Sequence, residues 1–274
     1  MPDPARRLSG KAASADGTAI AFDRYGSGPV LVLVNGAFTD RGHATLASVA
    51  AALAPWFTVV NYDRRGRGDS GDTGPYAVER EVEDLAAVIG TAGGTAGGTA
   101  MVFGGSSGAA LAIEAAAVHP EISKLALWEP PYHVDDSAPP LPDDFAAQLD
   151  ALVRAGRRGE AVERFMVEAA EAPPEAVAGM RASPSWAPME AVAHTLAYEA
   201  AVMGPGNRLP AGLAALTQPT LVLNGEASPA WMARAGQAVA AAVPGAVHRV
   251  LGGQAHNVAP EALVPELLEF FVAA

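Results

Sequence analysis

A serine at position 106 has neighbours that are typical of a nucleophile. The pentapeptide Gly104-Gly105-Ser106-Ser107-Gly108 follows a short apolar run and precedes an alanine-rich run with helical spacing. A serine on a sharp strand-to-helix turn needs small residues two positions before and after it, and Ser106 has glycine at both. The alternative is a glycine-rich loop in which a serine side chain caps the following helix.

A serine hydroxyl is a weak nucleophile, so it needs a base beside it. The chain has six histidines, and His256 alone follows the last predicted strand and precedes the last predicted helix. In a parallel sheet, functional groups collect in the loops at the carboxyl ends of the strands. The Ser106 turn and the His256 loop are both such loops, so we expect them to meet. The alternative for His256 is a surface histidine in a polar loop.

The elements that must position these side chains alternate between short branched runs and helical runs. Residues 30–34, Val-Leu-Val-Leu-Val, are apolar throughout, which is typical of a strand buried on both faces of a parallel sheet. The predicted strands cover residues 10–13, 18–25, 30–34, 57–62, 99–103, 124–128, 219–224 and 246–251. Helical runs between strands imply right-handed crossovers. The predicted fold class is α/β, a mostly parallel eight-stranded sheet with helices on both faces.

This alternation stops after residue 132 and resumes at residue 217. The intervening sequence has helical spacing, with proline and glycine between the helical runs, and no buried strand. We expect residues 1–132 and 217–274 to form one core domain. Residues 133–216 are predicted to be a helical cap inserted between strands six and seven. Residues 90–98 contain Thr-Ala-Gly-Gly twice and are interpreted as a flexible connector.

The composition narrows the possible partners. The chain has 274 residues, a net charge of −12 and no cysteine. Disulfides, a thiolate nucleophile and a cysteine metal site are therefore excluded. The acidic charge disfavours nucleic acid and anionic membranes as partners. No secretory signal is evident at the N-terminus. We expect a cytoplasmic monomer or homodimer that acts on a small molecule.

Five segments match a known family in order and spacing. They are Asn35-Gly36-Ala37-Phe38, residues 62–70 (Tyr-Asp-Arg-Arg-Gly-Arg-Gly-Asp-Ser), the Ser106 pentapeptide, residues 219–229, and His256. Over nearly its whole length the chain resembles the α/β-hydrolase fold, in particular the soluble esterase, haloperoxidase and C–C hydrolase group.

The resemblance implies nucleophilic catalysis that uses no cofactor and no metal. It implies that Ser106 attacks the substrate and that His256 takes the serine proton and passes it to the leaving group. It also implies that the backbone N–H groups of Ala37 and Ser107 hold the developing oxyanion.

The chain departs from the family pattern at the acid of the triad. The family usually has an aspartate after the seventh strand, where this sequence reads Gly-Glu-Ala-Ser-Pro and places Ser228 in that position. A hydroxyl cannot supply the full charge that stabilises an imidazolium. Three arrangements stay open: Glu129 after the sixth strand, Glu226 reaching across, or a dyad helped by Ser228 or water. We favour Glu129.

The loop at residues 62–70 carries three arginines. An anion site is one interpretation, but the resemblance favours a scaffold in which Arg64, Arg65 and Arg67 pair with carboxylates.

The aromatic residues in and around the predicted cap indicate an apolar substrate. We assign Phe38, Tyr132, Trp186 and Trp231 to the pocket wall. The leading hypothesis is a serine hydrolase that cleaves a small to medium, mostly apolar carboxylic ester. The alternatives are a C–C bond hydrolase or cofactor-free biosynthetic enzyme in the same pocket, and a non-catalytic ligand-binding homologue.

Overall fold

An eight-stranded sheet forms the centre of the protein. The computed structural model describes residues 7–92 and 98–273. The strands are β1 (Leu8–Ala13), β2 (Ala19–Tyr25), β3 (Val30–Val34), β4 (Thr58–Tyr62), β5 (Ala100–Gly105), β6 (Ile122–Trp128), β7 (Thr220–Gly225) and β8 (Val247–Leu251). Their order across the sheet is β1-β2-β4-β3-β5-β6-β7-β8. Strand β2 pairs antiparallel with β1 and β4, and all other neighbours are parallel. The predicted fold class is confirmed.

Ten α-helices surround or extend this sheet in the described residues. They are α1 (Ala44–Leu53), α2 (Val78–Ala92), α3 (Ser107–Val118), α4 (Phe145–Arg154), α5 (Arg158–Arg164), α6 (Pro174–Arg181), α7 (Trp186–Ala191), α8 (Leu196–Met203), α9 (Ala230–Ala242) and α10 (Pro260–Val272). No helix in the described ranges is both long and apolar enough to cross a membrane. Of the predicted connector at 90–98, residues 93–97 lie outside the described residues.

The run at β3 shows why the sheet is buried on both faces. Successive side chains of a strand point to opposite faces. Val32 and Val34 therefore pack into the core formed with α2, α3 and α9, whereas Leu31 and Leu33 pack into the core formed with α1 and α10. All four side chains are fully buried. A strand with no polar position can only lie at the centre of such a three-layer arrangement.

The inserted block, residues 133–216, contains helices α4 to α8 and has a small apolar core of its own. Leu149, Val162 and Leu196 are fully buried in that core. The helices of the block are short, and a 3-10 turn at Ala193–Thr195 separates α7 from α8. There the Thr195 hydroxyl donates to the carbonyl of Val192 at 2.8 Å, a local bond that competes with continuous helix.

Candidate active site

Ser106 occupies a strained turn between β5 and α3. Its backbone lies at φ 56° and ψ −129°, a conformation that costs a non-glycine residue about 1–3 kcal/mol. Its N–H donates to the carbonyl of Trp128 at 2.8 Å, which ties the turn to the neighbouring strand β6. The strain is therefore held in place by the sheet on one side and by the start of α3 on the other.

The two flanking glycines are required by close backbone contacts. A Cβ on Gly104 would lie 2.4 Å from the carbonyl oxygen of Gly108, and a Cβ on Gly108 would lie 2.4 Å from that of Val34. Both distances are far inside van der Waals contact. Gly105 differs, because a Cβ there would meet no atom within 4 Å. The elbow therefore needs glycine at positions 104 and 108 and not at 105.

His256 lies in the loop between β8 and α10 and is hydrogen bonded to Glu129. The distance from His256 Nδ1 to Glu129 Oε2 is 2.7 Å. A carboxylate can only accept, so Nδ1 carries a proton and the neutral ring has its lone pair on Nε2. The carbonyl of His256 accepts a bond from the indole nitrogen of Trp128 at 2.9 Å, which fixes the loop against β6. The imidazole itself is 40% exposed.

The carboxylate of Glu129 is fully buried and held at both oxygens. Its second oxygen, Oε1, accepts from the backbone N–H of Gly225 at 2.8 Å, and the N–H of Glu129 donates to Leu223 at 2.9 Å. Burial alone raises the pKa of Glu129, but the hydrogen bonds from His256 and Gly225, together with the nearby Ser228 hydroxyl, outweigh burial and lower the pKa. The group is therefore a carboxylate at neutral pH.

Of the three candidates for the partner of His256, Glu129 is the one bonded to the ring in the described chain. The Glu226 carboxylate is exposed and accepts instead from the N–H of Gly253 at 2.9 Å. The Ser228 hydroxyl oxygen is buried beside Glu129 and forms no hydrogen bond to His256 in the described residues. The structure thus brings together His256 and Glu129, with Ser228 next to them.

The loop after β3, residues 35–39 (the β3 loop), faces Ser106. A Cβ on Gly36 would lie 3.1 Å from the Cβ of Ser106, so the backbone of this loop abuts the elbow. The amide of Asn35 donates to Asn61 at 2.9 Å and to the carbonyl of Tyr62 at 3.1 Å, which anchors the start of the loop to β4. Ala37 and Ser107 both line the same cavity as Ser106.

The three arginines of residues 62–70 are buried and paired with carboxylates, as the scaffold interpretation predicted. Arg64 binds Glu81 through Nε and Nη2, at 2.7 and 2.8 Å. Arg65 binds Asp84 at 2.8 Å and Asp16 at 2.7 Å. The remaining arginine, at position 67, pairs with Glu199 of helix α8.

A cavity of about 720 Å³ opens beside Ser106 and His256. It lies between the sheet edge and the inserted block, and both contribute to its wall. The apolar part of the wall consists mainly of Phe38, Phe103, Trp128, Phe145, Phe165, Met166, Met180, Met189, Met203 and Met232. Glu199 and Asn207 also line it. No cluster of three or more metal-ligating side chains stands at this site or elsewhere in residues 7–92 and 98–273.

Three of the four predicted wall residues do not line this cavity. Tyr132 is buried in the core beside α3, and Trp186 is buried in the core of the inserted block, with the Arg181 guanidinium 5.9 Å from its ring centre. Trp231 packs against Met232, and its indole nitrogen bonds Glu171. Phe38 does line the cavity. Each of the other three side chains is instead buried in an apolar cluster.

Two wall residues, Phe103 and Trp128, were not predicted from the sequence. Trp128 is the last residue of β6, directly before Glu129, and Phe103 lies two residues before the end of β5, which leads into Ser106. Their position at strand ends beside functional loops was the signal that identifies them.

The sequence matches a known family over most of its length. The sequence model of the alpha/beta hydrolase family matches residues 31–266. The chain belongs to the alpha/beta hydrolase family. The family match runs from β3 to about the middle of α10, and so includes Ser106, Glu129 and His256.

Proteins similar to this alpha/beta hydrolase include two with solved structures and one known by its sequence. An alpha/beta hydrolase from Sphaerobacter thermophilus is 55% identical, with a TM-score of 0.87 over 96% of this chain and 100% of the other. A hydrolase from Pseudomonas aeruginosa is 27% identical, with a TM-score of 0.74 over 97% and 98% of the two chains. A Bacillus subtilis protein named as an uncharacterized hydrolase is 36% identical over 108 residues, a match that spans 38% of each chain.

Proposed function

We propose that this protein is a serine hydrolase that cleaves a small to medium, mostly apolar carboxylic ester through an acyl-enzyme. The observation that carries the proposal is the 2.7 Å bond between His256 Nδ1 and Glu129, with Ser106 on the wall of the same cavity. In this proposal residues 133–216 act as a cap over the cavity, and the core consists of residues 1–132 and 217–274.

The proposed reaction begins with the Ser106 hydroxyl. His256 Nε2 takes its proton as Oγ attacks the ester carbonyl, and the Glu129 carboxylate stabilises the imidazolium that forms. The carbonyl oxygen becomes an oxyanion and accepts from the N–H groups of Ala37 and Ser107, each worth roughly a hundred- to a thousandfold in rate. The imidazolium then gives its proton to the departing alkoxide. Water, activated by the same imidazole, releases the acid and restores the serine.

The size and lining of the cavity support the substrate class. Its volume of about 720 Å³ accommodates a medium-sized molecule. Methionine side chains fill irregular shapes and adapt to different apolar ligands. The wall has one carboxylate, Glu199, and that group is already paired with arginines. An uncharged ester therefore fits this lining better than a charged one.

The test combines a turnover assay with covalent labelling. Wild-type protein and the Ser106→Ala variant are assayed on p-nitrophenyl esters from acetate to decanoate, with Ser107→Ala as the matched neighbour. We expect turnover in the wild type, loss of at least about a thousandfold in Ser106→Ala, and a fluorophosphonate adduct on Ser106 alone. Turnover that survives in Ser106→Ala contradicts the proposal.

The same assay separates the alternative functions. Near-zero ester turnover with intact labelling of Ser106 favours C–C bond hydrolysis or a biosynthetic reaction in this pocket. An unreactive Ser106 favours a ligand-binding homologue.

A further inference from the structure

Two buried arginines donate hydrogen bonds to the carbonyl groups of the β3 loop. Arg64 Nη1 donates to the carbonyl oxygen of Asn35 at 3.1 Å. Arg67 Nη1 donates to the carbonyl oxygens of Gly36, at 2.5 Å, and Thr39, at 3.2 Å. Both guanidinium groups are at most 2% exposed. The backbone carbonyl groups of the loop that faces Ser106 are thus hydrogen bonded to two charged guanidinium groups.

The opposite side of these arginines is attached to the inserted block. Glu199 on α8 accepts from Arg64 Nη1 at 2.8 Å through one oxygen, and its other oxygen pairs with Arg67 Nη2. The Thr195 hydroxyl oxygen accepts from Arg67 Nε at 3.3 Å. One guanidinium therefore joins the inserted block to the β3 loop, directly beside the cavity that Glu199 lines.

The bond to Gly36 has a consequence for the next N–H along the chain. The carbonyl of Gly36 and the N–H of Ala37 belong to one peptide unit, which is planar and trans. In a trans unit the C=O and N–H vectors point in opposite directions. When Arg67 holds the oxygen of this unit, the N–H of Ala37 must point away from Arg67.

We propose that Arg67, held in turn by Glu199 of the inserted block, is a positioning residue for the oxyanion site. It fixes the Gly36–Ala37 peptide plane so that the Ala37 N–H is already aimed when the oxyanion forms. This inference rests on the proposed function. Preorganised donors are effective because they do not have to reorient during the reaction. An enzyme in which this peptide unit rotates freely should therefore have a lower kcat but an unchanged affinity for its substrate.

Arg65 provides a matched control. It lies on the same loop, its side chain is fully buried, and it too pairs with carboxylates, those of Asp84 and Asp16. Its remaining partners are Thr18 and the carbonyl of Thr73, at 3.0 and 3.1 Å, so it does not hold the β3 loop. Loss of a buried ion pair is thus common to both variants, whereas of these two arginines only Arg67 contacts Gly36.

The experiment compares Arg67→Lys with Arg65→Lys. A lysine keeps the charge but cannot bond two carbonyls and a carboxylate in one plane. The kcat and KM are measured on p-nitrophenyl butyrate. Inhibition constants are measured for an alkyl trifluoromethyl ketone, which forms a charged hemiketal oxyanion with a reactive serine, and for the matching methyl ketone, which binds uncharged.

We expect Arg67→Lys to lower kcat by about 10- to 100-fold with KM within about twofold, and to weaken the trifluoromethyl ketone by a similar factor. The methyl ketone should bind as in wild type. Arg65→Lys should leave kcat and both inhibition constants within about threefold. Equal losses in the two variants, or a change in KM alone, overturn the inference.

A second variant keeps the test decisive if Arg67→Lys does not fold. Glu199→Gln retains the size and the accepting oxygen and removes the charge that holds Arg67, so we expect the same pattern at about 3- to 10-fold. Wild-type affinity for both ketones in Glu199→Gln overturns the inference. A wild-type protein without ester turnover and without affinity for the trifluoromethyl ketone overturns the proposed function itself, which distinguishes the two failures.

Discussion

Replacing Glu129 with glutamine tests the orientation of His256. The substitution keeps the shape of a fully buried side chain whose two oxygens serve two different donors, His256 Nδ1 and the Gly225 N–H. A glutamine has one oxygen and one NH2 group, so it cannot accept from both. One of these two contacts must change.

The structure indicates which contact changes. If the glutamine oxygen stays on His256, its NH2 group faces the Gly225 N–H, and two buried donors oppose each other at a cost of about 1–3 kcal/mol. The favoured orientation therefore keeps the Gly225 bond and turns the NH2 group to His256. The ring then carries its proton on Nε2 and cannot accept one from Ser106.

The expected loss follows from two contributions. Restoring the reactive tautomer costs about 1–3 kcal/mol. Replacing a charge-assisted bond to the imidazolium with a neutral one costs roughly a further 1–2 kcal/mol. The sum, about 2–5 kcal/mol, corresponds to a decrease in kcat/KM of about 30- to 5000-fold.

The assay is kcat/KM on a p-nitrophenyl ester at pH 7.5, with Glu226→Gln as the control. Glu226 is exposed and accepts a single bond from Gly253, which an amide oxygen can also accept, so we expect activity within about twofold of wild type. Thermal unfolding of both variants shows that each is folded. The assignment of Glu129 would be refuted if Glu129→Gln retained more than about a third of the wild-type kcat/KM. It would also be refuted if Glu226→Gln lost more of its kcat/KM than Glu129→Gln.

Three further predictions concern the elbow, the cavity wall and pH. Gly108→Ala should lower the free energy of unfolding by more than about 2 kcal/mol in urea titrations, because its Cβ would meet the Val34 carbonyl at 2.4 Å, whereas Gly105→Ala should change it by less than about 1 kcal/mol. Phe165→Ala, which removes a cavity wall residue packed edge-on against Phe38, should shift the preference towards longer acyl chains by about tenfold in relative kcat/KM. Trp186→Ala should instead destabilise the protein by about 3–5 kcal/mol and leave that preference unchanged.

The pKa of Glu129 is lowered by folding. The contribution of its charged form to the free energy of unfolding is therefore present above the pKa of the unfolded chain, and it is lost as pH falls through the pKa of the folded protein. The difference in unfolding free energy between wild type and Glu129→Gln should therefore shrink below pH about 4.5; a constant difference from pH 7 to pH 3 contradicts it.

The fold and the elbow were predictable because local patterns specify them. The all-apolar run of β3 requires a strand buried on both faces. The glycines around Ser106 are required because a side chain there would collide with the backbone of the turn or of the neighbouring strand β3. His256 was identified by its place between the last strand and the last helix. These signals lie within a few residues of the feature that they specify.

The partner of His256 depended on contacts that no local pattern records. Glu129 precedes His256 by 127 residues and reaches it because β6 and β8 lie on either side of β7 in the sheet. The missing aspartate at Ser228 left the choice open. The register of β6 against β7, which pairs Trp128 with Leu223, decides where the carboxylate stands.

The cavity wall was harder to predict because apolar side chains can pack in more than one place. Trp186 and Phe165 are both aromatic residues of the inserted block, yet Trp186 is buried in the core of the block and Phe165 lines the cavity. Hydrophobicity is the same signal in both cases. The Thr195 hydroxyl likewise has a partner that no local pattern reveals, because its oxygen accepts from Arg67, a residue 128 positions away.

The most direct test of the Ser106, His256 and Glu129 arrangement is to trap its covalent intermediate. Protein mixed with p-nitrophenyl acetate is quenched in acid within milliseconds, and the digested peptides are analysed by mass spectrometry. We predict an acetyl group on Ser106, absent from the adjacent Ser107, which accumulates together with a burst of p-nitrophenol. Acetylation of Ser107 instead, or ester turnover with no acylated serine, contradicts the proposed mechanism.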